Sequence, residues 1–312
     1  MKKAWQRRLA EVSKRRPRGA TLAAFNLNVD VVARVTPRAI ERLVEKTPGV
    51  DWEAVARIDA EALRSIRTRE EFLAVLRRGF VTGKSSLVVR EDESIVSWWE
   101  EIFDERQEHM GGQAGIIANQ MAALGARSFV YSPMLSPKQA SLFLPGVLWP
   151  THEGGSIAPV EARAAGRPGD PTREPWVFEY RKGETFRFPD REFTTPRANR
   201  AIVTTGIQGP ERRFHGDVSP ALEELGRAVD VGFMAGYHQC GNNPGDPEAV
   251  RAYLRACAVE LGRLKAKNPR LKLHVEYVPA KVREMELECY QTLGERVDSF
   301  GINETEIRAV LG

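Results

Sequence analysis

Gly111 and Gly112 stand directly ahead of a helix-like run, QAGIIANQMAALG, in which Ile116, Ile117, Met121 and Leu124 recur at helical spacing until Gly125 stops the pattern. Glycine at a helix start lets a ligand approach the backbone closely. The first N–H groups of the helix have no intrahelical acceptor and favour negative charge there. A tight turn before a core helix would have the same sequence, and an isolated glycine pair does not separate the two. Two carboxylates, Glu276 in LKLHVEY and Glu306 in GINETE, close consecutive predicted strands. Parallel strand ends open on one edge, where both could approach a magnesium ion that keeps several waters and takes one or two carboxylates. Each alone reads equally as a cap or a surface charge. Asn28 and Asp30 end an apolar run from Ala20 to Val32 that reads as a buried first strand, with an Asx turn as the alternative.

Together with VYSPMLSPKQASLF (130–143), these segments resemble the ADP-dependent glucokinase/phosphofructokinase family, a branch of the ribokinase-like sugar kinases. The resemblance implies a phosphoryl transfer from ADP, with Mg²⁺, to a hydroxyl of a sugar or sugar phosphate. It implies that Asn28 and Asp30 contact sugar hydroxyls, with Gly112 and Gln113 also at the substrate. Gly111 and Gly112 become candidates for the anion hole. His274-x-Glu276 and Asn303-x-x-Glu306 match the family's metal signatures, giving Glu276, Glu306 and Asn303 as metal candidates and His274 as a structural hydrogen-bonding residue. Lys182, Arg197 and Arg200 are cations that could meet a sugar phosphate, the latter two within the family-like string TPRANR.

Two departures bear on the acceptor. Glucokinase members carry a sugar-holding Glu where this chain has Leu87, and Leu87 cannot accept a hydroxyl hydrogen bond. Pro175 stands where a family histidine is usual. Leu87 and the nearby basic residues lean towards a phosphofructokinase-like substrate over glucose, while Pro175 leaves the identity of the sugar open. The family's general base, in a Gly-x-Gly-Asp motif, has no match in these 312 residues. The nearest strings, RPGD ending at Asp170 and NPGD ending at Asp246, lack the first glycine. The resemblance thus covers nearly the whole chain but only about the first two-thirds of the family fold. The expectation is a chain inactive alone that associates through the edge of its last strand. A sugar-binding relative without catalysis is the alternative function.

The elements that must position these residues follow an α/β plan. Helical patterns fill 37–78, Gly83 to Ser86 read as a loop before LVVR, and Trp98 and Trp99 read as packing residues in a helical stretch. A strand is expected at 128–132, then a short helix capped by Ser136 with Pro137 at its first position. Residues 154–175 read as loop, and 176–180 with 184–188 as a hairpin around RKGE. Beyond Arg200, apolar strands alternate with amphipathic helices, which predicts a doubly wound, mostly parallel sheet. The resemblance adds a small inserted lid: a large domain of 1–30, 109–172 and 199–312, and a lid of 31–108 and 173–198. A generic Rossmann dehydrogenase is disfavoured, because no G-x-G-x-x-G follows the first strand.

Composition adds exclusions. A net charge of +4 over 312 residues is too dilute to imply nucleic-acid binding. Cys240, Cys257 and Cys289 have no paired spacing and suit a reducing compartment. No apolar run reaches membrane-spanning length. The N-terminal stretch MKKAWQRRLAEVSKRRPRG lacks an apolar secretory core and reads as a surface helix, so a cytoplasmic location is expected.

Overall fold

The computed structural model describes residues 2–12, 19–207, 209–280 and 282–311. An exposed helix, α1 (Lys2–Val12), precedes β1 (Ala20–Phe25) and β2 (Asn28–Arg34). The remainder of the predicted basic helix, 13–18, and Lys281 of a later predicted helix lie outside the described residues. Then come α2 (Pro37–Lys46), α3 (Trp52–Arg57), β3 (Ser65–Ile66), α4 (Arg69–Thr82), β4 (Ser86–Arg90), α5 (Ser94–Ile102) and β5 (Arg106–Gly111). The glycine turn leads into α6 (Gln113–Ala123), followed by β6 (Arg127–Tyr131), α7 (Pro137–Ser141), β7 (Val147–Glu153) and β8 (Ser156–Glu161). Four strands follow: β9 (Trp176–Tyr180), β10 (Thr185–Arg187), β11 (Glu192–Thr194) and β12 (Asn199–Thr205). The rest alternates as α8 (Leu222–Arg227), β13 (Val231–Ala235), α9 (Pro247–Ala266), β14 (Lys272–Glu276), α10 (Glu286–Gly294), β15 (Ser299–Gly301) and α11 (Glu304–Leu311).

Two compact units result. The first comprises Met1–Leu27, Met110–Thr172 and Gln208–Gly312; the second comprises Asn28–His109 and Arg173–Ile207. In the first, a 7-stranded sheet runs β15-β14-β13-β1-β6-β7-β8, parallel except where β7 meets β8. Leu22, Phe25, Phe129 and Met234 are fully buried between this sheet and its helices. Burying side chains of that size contributes roughly 1.5–3 kcal/mol each. The alternation of β13, α9, β14, α10 and β15 is the predicted doubly wound pattern.

The second unit holds a 6-stranded sheet, β3-β4-β12-β9-β2-β5. Val29, Val31 and Ala33 of β2 are buried, as are Phe178 of β9, Val88 of β4, and Ala201 and Val203 of β12. All of these except Val29 pack with Phe72, Trp98 and Trp99 of α4 and α5, the ring of Phe72 lying 5.0 Å from Trp99 and 4.8 Å from Phe178. The two tryptophans are therefore core residues. Because side chains alternate along a strand, the other face of this sheet carries Asp30, Val32, Arg34, Leu87, Glu179, Arg200 and Ile202.

Five expectations are corrected. The run Ala20–Val32 is not one strand: it breaks at Asn26 and Leu27, and its halves join different sheets. Tertiary bonds hold the break, with Gln139 Nε2 donating to Leu27 O at 3.2 Å and Asn26 Nδ2 to Gln113 Oε1 at 2.6 Å. Asn28 and Asp30 accordingly open β2 instead of closing β1. The expected 176–180/184–188 hairpin does not form, since β9 pairs with β12 and β2 while β10 pairs with β11. The intervening turn is tied to Thr195, whose carbonyl accepts from Gly183 N at 2.9 Å. Residues 156–161, expected as loop, form β8 against β7, and the polar RQEHMG forms β5 where the helical pattern was extended. Residues 199–205, expected with the large domain, pair with β9 and β4 in the second sheet.

Candidate functional site

In the first unit, β5 ends at Gly111 and the chain turns through Gly112 with φ +74° into α6. A Cβ on residue 112 would lie 2.7 Å from the carbonyl carbon of Asn26 and 3.0 Å from Leu27 Cα, so only glycine fits this backbone approach. No side chain caps α6, which leaves its first-turn N–H groups pointing outward beyond the helix start. Gln113 is fixed by the Asn26 hydrogen bond. The following helix packs across β1, β6 and β13. The resulting feature can receive an anion, through backbone donors that need not reorganise.

The carboxyl-end edge of the same sheet carries the carboxylates. Glu276 closes β14, with Oε1 3.3 Å from His274 Nε2, while His274 Nδ1 lies 2.8 Å from Ser299 Oγ. His274 thus lies within hydrogen-bond reach of both Ser299 and Glu276. Glu306 differs from expectation: it lies in the first turn of α11, not at a strand end. It forms a reciprocal cap with Asn303, Asn303 N donating to Glu306 Oε2 at 2.9 Å and Glu306 N to Asn303 Oδ1 at 3.0 Å. Asn303 and Glu306 are brought together, and they follow the strand adjacent to Glu276. No cluster of three or more His, Cys, Asp or Glu side chains able to hold a metal occurs among the described residues. Glu276, Glu306 and Asn303 are oxygen donors, the kind a hard ion such as magnesium takes alongside several waters.

In the second unit, strand register orders the open face into rows. Arg200 pairs across to Glu179 and Glu179 to Arg34. The next row is apolar, Leu87–Ile202–Val177–Val32. Asp30 lies beyond it. Its carboxyl is held above the usual aspartate range by burial, with the charges of Arg200 and His109 pulling the other way. A groove of about 720 Å³ on this face is lined by Arg34, Leu87, Glu179, Arg181, Arg200 and Ile202, among others. Leu87 is 67% exposed within it.

Of the predicted cations, Arg200 alone lines this groove. Lys182 sits exposed on the turn after β9, and Arg197 lies against Gly83 near Tyr180. Sequence reasoning missed Arg34, Arg181 and His109. The first two carry no motif, and their placement needs the three-strand register. Neither aspartate of the near-miss strings is available as a base. Asp170 accepts from Leu135 N at 2.7 Å and pairs with Arg167, and Asp246 caps α9 by accepting from Glu248 N at 2.9 Å.

An open, mostly parallel α/β sheet with an uncapped glycine-led helix, Glu276 at a strand end and Glu306 at the start of the helix after the next strand is the plan of a ribokinase-like sugar kinase. The signature of the ADP-specific phosphofructokinase/glucokinase conserved region matches residues 20–312, and the chain belongs to that family. It is 32% identical to an ADP-specific phosphofructokinase of Pyrococcus horikoshii over 92% of this chain and 63% of that protein. Against an ADP-dependent glucose/glucosamine kinase of Pyrococcus abyssi the identity is 27%, over 93% and 61%. The fold superposes on the crystal structure of a hypothetical ADP-dependent phosphofructokinase from P. horikoshii with a TM-score of 0.75 at 30% identity, covering 95% of this chain and 65% of that one. An ADP-dependent kinase complex with fructose-6-phosphate and ADPβS gives a TM-score of 0.76 at 23% identity, covering 99% and 62%, and supports the fold alone. The chain spans about 63% of the length of the relatives it matches. No helix among the described residues is long and apolar enough to cross a membrane.

Proposed function

We propose that this chain carries the acceptor-binding and metal-holding parts of an ADP-dependent sugar kinase whose acceptor is a sugar phosphate of the fructose 6-phosphate type. The carrying observation is the order of rows on the open face of the second unit. A sugar phosphate has hydroxyls at one end, C–H surface in the middle and a dianion at the other. Asp30 accepts hydroxyl hydrogen bonds, Leu87 and Ile202 cover the C–H surface, and Arg200 with Arg34 and Arg181 meets the phosphate. Leu87 supplies no acceptor for a further glucose hydroxyl. In the first unit, the N–H groups at the start of α6 stabilise negative charge as it develops. Glu276, oriented by His274, and Glu306 with Asn303 are the residues that would hold Mg²⁺. The ion would neutralise charge on the phosphoryl oxygens during transfer.

Calorimetry tests this without requiring turnover. The 312-residue chain is expected to bind fructose 6-phosphate more tightly than glucose, and Asp30→Ala is expected to abolish that binding while leaving the melting temperature nearly unchanged. Equal affinity in the wild type and Asp30→Ala would overturn the assignment.

A further inference from the structure

Arg212 and Arg213 are neighbours in sequence with opposite surroundings. Arg213 meets the buried Glu260 at 3.0 Å and Glu211 at 3.7 Å. Arg212 is only 9% exposed and has no carboxylate partner among the described residues, and its Nε is buried without a hydrogen-bond acceptor. Its stem lies over Gly236, the residue after β13, where φ is +115° and a Cβ would fall 3.3 Å from Arg212 Cγ and Cδ. The absence of a side chain at 236 is what admits the arginine. Two residues on, His238 Nδ1 is likewise buried without a partner. His238 Nε2 lies 2.8 Å from Gln239 Nε2, and with that amide donating, the imidazole proton resides on the unpartnered Nδ1.

A buried guanidinium with no counter-ion costs several kcal/mol after relaxation, far more than a surface arginine. Water alone compensates such a charge poorly, whereas an oxyanion satisfies both the charge and the N–H donors. The location is also one where ligands collect, the carboxyl end of a strand in an open α/β sheet. We propose that Arg212 and His238 form an anion site that takes a phosphate group, either free phosphate or the phosphate of a nucleotide. Burial and the charge of Arg212 lower the His238 pKa to about 4, so the imidazole enters the site as a neutral donor and not as a second charge. The existence of the site is independent of the sugar-kinase reading; only a nucleotide as its physiological source rests on that reading.

The test is calorimetric titration of the 312-residue chain with inorganic phosphate and with pyrophosphate in phosphate-free buffer, paired with thermal melts. Wild type is expected to bind and to gain melting temperature with either anion. Arg212→Met is expected to bind at least ~10-fold more weakly and to lose the anion-induced gain, as a charge-assisted hydrogen-bonding group predicts. It should still fold, because it removes an uncompensated charge. Arg187→Met, at an exposed arginine paired with Glu192, is expected to behave as wild type. Arg212→Lys keeps the charge without the planar fork and is expected to lose part of the affinity. Competition by ADP would assign the site to a nucleotide phosphate, and phosphate binding without such competition to the free ion. Wild-type affinity in Arg212→Met, or no anion binding by the wild type, would overturn the proposal. Fructose 6-phosphate affinity tests the sugar-kinase reading separately, so either can fail alone.

Discussion

Gly112 is pressed against the main-chain carbonyl of Asn26, at the point where the chain leaves β1. A methyl group there would overlap backbone that cannot rotate away, at a positive φ that alanine adopts poorly. Gly112→Ala is therefore expected to cost roughly 3 kcal/mol or more. Gly262→Ala is the control. It lies inside α9 with nothing within 4 Å of a new Cβ, and should stabilise by up to ~1 kcal/mol. Paired denaturant titrations check both, and a neutral Gly112→Ala would show that the turn can shift.

Leu87 projects into the groove opposite Ile202, where glucokinase relatives in the resemblance place a glutamate. Leu87→Glu is expected to raise glucose affinity and to weaken fructose 6-phosphate binding by adding negative charge near the arginine row. Direct titration of both sugars reads the ratio. An unchanged ratio would detach Leu87 from acceptor choice.

Asp30 gives a pH signature. Its pKa is raised above 3.8, chiefly by burial, so the folded state holds the proton more firmly than the unfolded chain. Asp30's own contribution to stability must then fall as pH rises from about 3.8 through the folded-state value, and that cost persists at neutral pH. Asp30→Asn lacks this titration. It is expected to be as stable as wild type or more so at pH 7, with the difference vanishing below the ordinary aspartate range. Denaturant midpoints across pH measure it, and a difference that grows on acidification would reverse the assignment.

Glu306 and Glu276 can be separated by their second roles. Glutamine at 306 can still accept from Asn303 N and complete the cap, so Glu306→Gln should keep its stability while losing charge. Both Glu306→Gln and Glu276→Gln are expected to weaken magnesium binding, read by Mn²⁺ competition. Unaltered metal affinity in both would remove these carboxylates from the metal site.

Local signals were legible where they were self-contained. Ser136 and Pro137 announce α7, and the structure completes the predicted start with a reciprocal cap between Ser136 and Gln139. The apolar strands β13 and β14 and the amphipathic α9 read off directly for the same reason. What was hidden depends on partners distant in sequence. The break at Asn26–Leu27 is held by Gln113 and Gln139, so a strand that looks continuous is divided by residues far along the chain. β5 is polar because Gln107, Glu108 and His109 are exposed one after another, on both faces of the strand, which hides the period-2 pattern and imitates a helix surface. The Arg200–Glu179–Arg34 row needs the pairing of β12, β9 and β2 to be known, and no one-dimensional pattern carries it.

The position of β1 has a kinetic consequence. Its neighbours are β6 on one side and β13 on the other, and Ala20 donates its N–H to Asp230, a separation of 210 residues. At ~5–20 residues per second, the ribosome needs on the order of 10–40 s to deliver that partner after β1 emerges. Throughout that interval Ala20–Phe25, an apolar segment buried in the finished sheet, has at least one unpaired edge. Contacts so remote in sequence also slow the search that closes them. Ala20–Phe25 is therefore a segment that must stay shielded during synthesis until β13 and Asp230 arrive.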